Sequence, residues 1–195
     1  MTHDMDRLLE MSEEIWENSI IPSLSEFIGI KALSPLFEPD WEELGELDDV
    51  IELFCNWIDM QGIKGLSYSV HRIEGRSPVL LVTVEGTGKG EVIFYSHLDK
   101  QPSKSELWSD GLGPLVAVRR GEWLFGRGSI DDGYGGYLCL ASLKILQESG
   151  IPHPKCSFLI ETCEESGSFD LPPYLENLED DLGDPNMIVV MDSGG

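Results

Sequence analysis

His97 and Asp99 follow the run Glu91-Val-Ile-Phe-Tyr-Ser96, and a His-x-Asp at that spacing puts both side chains on one side of an extended chain. A neutral imidazole can bind a metal through one nitrogen while a carboxylate near the other fixes its tautomer and raises its basicity. Further along, Gly126-Arg127-Gly128-Ser-Ile-Asp131-Asp132-Gly133 delivers two adjacent aspartates to the expected start of a helix. Neighbouring like charges repel and persist more readily where a cation neutralises them, although a helix N-terminus also favours one. The loop lacks the third glycine and the lysine of phosphate-binding loops. In Phe158-Leu-Ile-Glu161-Thr-Cys-Glu164-Glu165 the paired glutamates point different ways, so one can ligate an ion while the other faces a substrate and moves protons. Met187-Ile-Val-Val-Met191-Asp192 ends a further apolar run on a carboxylate.

Each feature has an ordinary reading: a hydrogen-bonded histidine, an N-capping aspartate, an exposed acidic turn. Four of them in the same position relative to a strand are harder to dismiss. One imidazole with several carboxylates and no cysteine pair suits a hydrolytic zinc, cobalt or manganese site better than a structural zinc. A shared carboxylate could hold two ions about 3.5–4 Å apart.

The elements that must position these groups follow from apolar periodicity. Leu8, Met11 and Ile15 predict a helix over residues 4–20, with Pro22 interrupting the run. Trp41, Leu44, Leu47, Ile51, Phe54 and Ile58 predict a second, ended by Gly62. Strands are expected at 66–73, 79–85 and 91–96, then a hairpin of 115–118 and 122–125 turning at Arg119-Arg120-Gly121. Residues 133–149 are apolar around most of a helix and should be buried. Cys156–Ile160 and Met187–Met191 read as strands from the middle of a parallel or mixed sheet. The expected fold is α/β, a central mixed, largely parallel sheet flanked by helices, with its site at the strand ends.

Composition narrows the partners. The 195 residues carry 36 acidic and 13 basic side chains, a net charge of −23 that repels nucleic acid and anionic membranes. No apolar stretch is long enough to span a bilayer. The polar, acidic start and four scattered cysteines, read as packing residues, predict a cytoplasmic protein with reduced thiols.

The order His97-x-Asp99, Gly126-Arg127-Gly128-x-x-Asp131-Asp132, Glu164-Glu165, Asp192 resembles the di-zinc family of carboxypeptidases, carnosinase-like dipeptidases, aminoacylases and succinyl-diaminopimelate desuccinylases. Trp108–Pro114 and the leading helices are similar to the dipeptidase branch. The resemblance implies an amidohydrolase with two divalent ions, zinc or else cobalt or manganese, acting on small peptides or N-acyl amino acids. By the same resemblance Asp131 bridges both ions, His97 and Asp192 complete one, and Glu165 binds the other. Glu164 is then the general base and acid, Asp99 orients His97, and the Asp131–Asp132 peptide is cis. Residues 1–195 would be the N-terminal part of the catalytic domain, lacking a dimerisation domain and a C-terminal part that supplies a last histidine ligand. The longer form would be a homodimer. His3, His71 and His153 match no motif, Lys100 stands where an apolar residue is common, and Gly133-Tyr134 replaces a frequent Lys-Gly. Two other readings compete: a truncated, non-catalytic fragment that binds a metal or a partner, and an acidic interaction domain whose carboxylates are merely solvated.

Overall fold

The computed structural model describes residues 5–192. The expected start of the first helix at Asp4, and His3, lie outside the described residues. Helix α1 (Met5–Ile15) runs through a π-helical turn (Trp16–Ile20) into α2 (Ile21–Gly29). Pro22 therefore does not end the helical run as expected. It closely follows the π-helical turn, whose wider winding makes room for its ring within the continuous run. The second stripe is also divided. Gly45, in the left-handed conformation (φ 73°), separates α3 (Trp41–Leu44) from α4 (Glu46–Gln61), and Gly62 (φ 65°) closes α4.

Five strands form the main sheet: β1 (Leu66–His71), β2 (Val79–Val84), β3 (Glu91–His97), β6 (Lys155–Glu161) and β7 (Met187–Val190), in the order β1-β2-β6-β3-β7. β1, β2 and β6 pair antiparallel, whereas β3 runs parallel to both β6 and β7. The hairpin is β4 (Val118–Arg120) and β5 (Trp123–Phe125). It is shorter than expected: Arg119 and Arg120 pair within it, and the turn falls on Gly121-Glu122. Helix α5 (Gly135–Glu148) joins the hairpin to β6, and α6 (Leu171–Asn177) and α7 (Glu179–Leu182) precede β7.

Alternation along the strands separates two cores. Leu80, Val82, Val84, Phe158 and Ile160 face α2, α4 and α5, while Val79, Leu81, Ile93 and Leu159 face α6 and α7. The larger core centres on Phe54, Trp57 and Tyr137, with Tyr137 edge-on to both rings at 4.8 and 4.7 Å. Such pairs add about 0.5–1.5 kcal/mol beyond their burial. β6 is central, but β7 is not the mid-sheet strand its apolar run predicts. It lies at the edge, with Met187, Ile188 and Val190 exposed.

Lys100 fastens the helical layer to the sheet. Its fully buried Nζ donates to the carbonyls of Phe27 (2.7 Å) and Ile30 (2.6 Å) at the end of α2 and stands 4.0 Å over the Phe27 ring. Its backbone N–H reaches Ala32 O at 2.9 Å, and its carbonyl accepts from Ser34 at 3.0 Å.

Candidate metal centre

Parallel pairing aligns the three strand ends that carry the site. His97 is in register with Glu161, and Leu98 donates to Glu161 O at 2.9 Å, so the loops after β3 and β6 leave the sheet together. Met191 donates to Tyr95 O at 3.0 Å, which brings Asp192 out beside them. The glycine loop enters from the side. Gly128 (φ 84°) leaves so little room that a Cβ there would lie 2.8 Å from both Lys100 Cε and the Phe27 ring. The Asp131–Asp132 peptide is cis. Tyr134 Oη donates to Met191 O at 3.1 Å, tying the start of α5 to the end of β7.

Asp131, Glu164, Glu165 and Asp192 converge on His97. Its Nε2 is buried without a hydrogen-bond partner and faces Asp131 Oδ1 at 3.4 Å, Glu164 Oε2 at 3.7 Å and Asp192 Oδ1 at 3.9 Å. Two donor sets lie within 4.8 Å: His97 with Glu164 and Asp192, and His97 with Asp131 and Glu165. Glu165 joins from the far side through Arg127, whose Nη2 donates to Glu165 Oε1 at 2.7 Å and Asp131 Oδ2 at 3.2 Å.

Asp99 is fully buried and holds the arrangement from beneath. Its carbonyl lies 3.1 Å from His97 Nδ1, which accounts for Nδ1–H and turns Nε2 toward the carboxylates. Its carboxylate stands 3.5 Å from Nδ1 and accepts the backbone N–H of Glu164 (3.2 Å) and Glu165 (3.0 Å). The residue expected only to orient the histidine also pins the turn that carries both glutamates.

The electrostatics show a site short of positive charge. Burial disfavours the charged imidazole of His97, but Asp99, Asp132 and Glu164 outweigh it and push its pKa up to about 10. Burial raises Glu164 and Glu165, and pushes Asp132 up to about 7. An orphaned imidazole nitrogen facing three carboxylate oxygens is a donor set that fits a divalent cation of the zinc, cobalt or manganese type.

Four contributors carried no expected role. Arg127 and Gln101, which donates to Glu165 Oε2 at 2.5 Å, contact a carboxylate far away in sequence. Asp132 accepts the His97 backbone N–H at 3.3 Å and keeps its other oxygen buried and unpaired. Glu161, beneath His97, accepts from Tyr95 Oη (2.6 Å) and Ser168 Oγ (2.8 Å), and burial raises its pKa. Arg127 and Asp132 lie inside the glycine-rich motif and Glu161 at a strand end, but nothing in their neighbours in sequence marks a partner. The remaining described histidines are elsewhere: His71 is on β1 and His153 is buried beside Pro154, 2.8 Å from its carbonyl.

Solved structures with the same fold include human carnosine dipeptidase 1 (23% identity, TM-score 0.72, covering 95% of this chain and 41% of that one). The di-peptidase Dug1p from Saccharomyces cerevisiae matches at 20% identity and TM-score 0.73 over 99% of this chain and 42% of its own. The metallo-carboxypeptidase Sso-CP2 from Sulfolobus solfataricus matches at 19% and 0.74, over 91% and 38%. The chain thus spans about two fifths of the length of these structures. No curated protein matches it in sequence. The model of peptidase family M20/M25/M40 matches residues 93–195, more than half of the chain and the stretch that holds every residue of the cluster, and the chain belongs to that family.

Proposed function

We propose that this chain carries the ion-holding half of an active site that hydrolyses the amide bond of dipeptides or N-acylated amino acids. The observation that carries the reading is the buried, unpartnered Nε2 of His97, faced by oxygens of Asp131, Glu164 and Asp192 within 3.9 Å. A peptide substrate is supported by the neighbours named as dipeptidases and as a carboxypeptidase. His97, Asp131 and Asp192 would hold one ion and Asp131 with Glu165 a second, Asp131 being shared. Bound ions supply Lewis acidity for the amide carbonyl and lower the pKa of the attacking water.

The remaining steps belong to the protein. Glu164 is partly exposed and faces the same opening as Asp131 and Asp192, so it can reach a water there. It takes the proton of the attacking water and returns it to the amine that leaves, and burial favours this by raising its pKa. Asp99 acts as a positioning residue through its three contacts to His97, Glu164 and Glu165. A cytoplasmic setting accompanies the proposal, supported by four cysteines that are free and buried. Recovery of the chain from the medium rather than the cytosol would remove that part.

The test is Glu164→Gln in the longest form of the enzyme that hydrolyses a dipeptide. Turnover should fall by about 10²–10⁴-fold, the range for loss of an acid–base group, with bound metal unchanged; full activity would remove Glu164 from the role. A non-catalytic metal-binding reading has one observation in its favour: among the described residues His97 is the only imidazole at the cluster. That reading requires the 195 residues to bind an ion and turn nothing over, whereas zinc-dependent hydrolysis by them rejects it.

A further inference from the structure

Besides His97, Arg127 is the one basic side chain that bonds to the cluster's carboxylates among the described residues. A single nitrogen, Nη2, donates to Asp131 Oδ2 at 3.2 Å and to Glu165 Oε1 at 2.7 Å. Those are the two carboxylates assigned above to the second ion. Asp131 therefore has a divided role: Oδ1 turns to His97 at 3.4 Å and Oδ2 turns to the guanidinium. Glu165 is closed off further, since its other oxygen accepts from Gln101 at 2.5 Å. Nothing comparable fills the first position, where His97 Nε2 is left without a partner.

From this asymmetry we infer that Arg127 is a built-in counter-ion for the second position, so that the two positions load in a fixed order. The inference rests on the proposed metal site. The first ion enters among His97, Asp131 and Asp192 with the guanidinium in place. A second ion needs the oxygens that Nη2 bridges, and two cations cannot share them at this distance, so it binds only when Arg127 withdraws. The side chain can do so. Its Nε is buried without a partner, so the guanidinium is lightly anchored on that side. It also lines a cavity of about 180 Å³ with Leu33, Gln101 and Pro114. The other cation lining that cavity, Lys31, is already paired with Glu38 at 2.7 Å. Arg127 also offsets the repulsion between Asp131 and Glu165 while no ion is bound, a task that an ion takes over. Its role is thus to hold the site together when empty and to set a threshold ion concentration for full loading.

The experiment titrates the 195-residue chain and its Arg127→Gln and Arg127→Lys variants with Co²⁺, following heat and the visible absorption of bound cobalt. The wild type should take one ion tightly and a second at least tenfold more weakly. Arg127→Gln should tighten the second ion at least tenfold and change the first less than threefold. Arg127→Lys, which keeps the charge, should stay near the wild type. Equal second-ion affinity in the wild type and Arg127→Gln overturns the inference and leaves the metal site standing. Absence of any bound ion in all three proteins overturns the metal site itself. If Arg127→Gln loses its far-ultraviolet dichroism, the wild type labelled with ¹⁵N-arginine decides: using diamagnetic Zn²⁺, the Arg127 side-chain resonance should shift with the second equivalent. A shift completed by the first equivalent overturns the ordered loading.

Discussion

Asp99→Asn keeps shape and removes one charge and one acceptor, so it isolates what the carboxylate does. The native carboxylate accepts two backbone N–H groups, from Glu164 at 3.2 Å and Glu165 at 3.0 Å. An asparagine can accept only one of them and turns an NH₂ group toward the other. A hydrogen bond to a charged group contributes about 1.5–3 kcal/mol, and an N–H left unpaired in the interior costs about 1–3 kcal/mol. Because these overlap, the expected loss of stability in the presence of a chelator is about 2–4 kcal/mol. A second effect appears only with metal. The Asp99 carbonyl still holds Nδ1, but on the proposed metal site loss of the carboxylate 3.5 Å from that nitrogen should weaken metal affinity by about 10–100-fold. At fixed free ion above both dissociation constants, that weakening removes a further ~1.4–2.7 kcal/mol of ligand-linked stability. The assay is urea unfolding followed by tryptophan fluorescence, for both proteins, with EDTA and again with buffered free zinc. The gap between wild type and Asp99→Asn should widen on adding zinc. Equal curves in EDTA would refute the pinning of the glutamate turn, and a gap that does not widen would refute the support of His97.

Lys100→Met should alter the pH dependence of stability. Burial, with Arg127 nearby, lowers the Lys100 pKa to about 7, while Glu46 acts the other way. Between that value and the ordinary 10.5 the unfolded chain binds more protons than the folded one, so the contribution of Lys100 to stability rises with pH across this window and is smallest below it. Relative to Lys100→Met, the wild type should gain at least about 2 kcal/mol between about pH 6 and about pH 10; a constant difference in urea unfolding contradicts this. Gly128→Ala combines a positive φ of 84° with contacts at 2.8 Å and should cost about 2–4 kcal/mol. Gly75→Ala, at φ 72° with nothing within 4 Å of the added carbon, should cost about 1 kcal/mol. Similar thermal midpoints for the two variants would mean that crowding by Lys100 and Phe27 is not felt.

The convergence of the candidate residues on one place was legible in the sequence because most of them follow strands whose apolar runs announce them, as Phe158–Ile160 announces Glu164 and Glu165 and Val189–Met191 announces Asp192, while Asp131 comes from the glycine-rich loop. Strand ends bring such residues together whatever the connections between them. What stayed hidden depends on partners rather than on pattern. The π-helical turn that carries the chain past Pro22 is a local adjustment that apolar spacing does not encode. An apolar run such as β7 looks the same at an edge as in mid-sheet, since only the strand order tells whether a neighbour follows. Arg127 and Glu165 are 38 residues apart, and their contact exists only once the glycine loop has folded against the turn after β6.

β7 is four residues long, pairs on one side only among the described strands, and delivers Asp192. On the proposed metal site, occupancy and docking of this edge would be two sides of one equilibrium: a cation that draws Asp192 inward would tighten the ladder between β3 and β7, and fraying of that ladder would release it. The amide of Met191, bonded to Tyr95 O at 3.0 Å, is the natural reporter. Its deuterium uptake should slow with bound zinc by more than that of Phe158 in β6, whose exchange should follow global opening. Equal slowing at both amides would uncouple the edge from the ion and leave β7 a passive border.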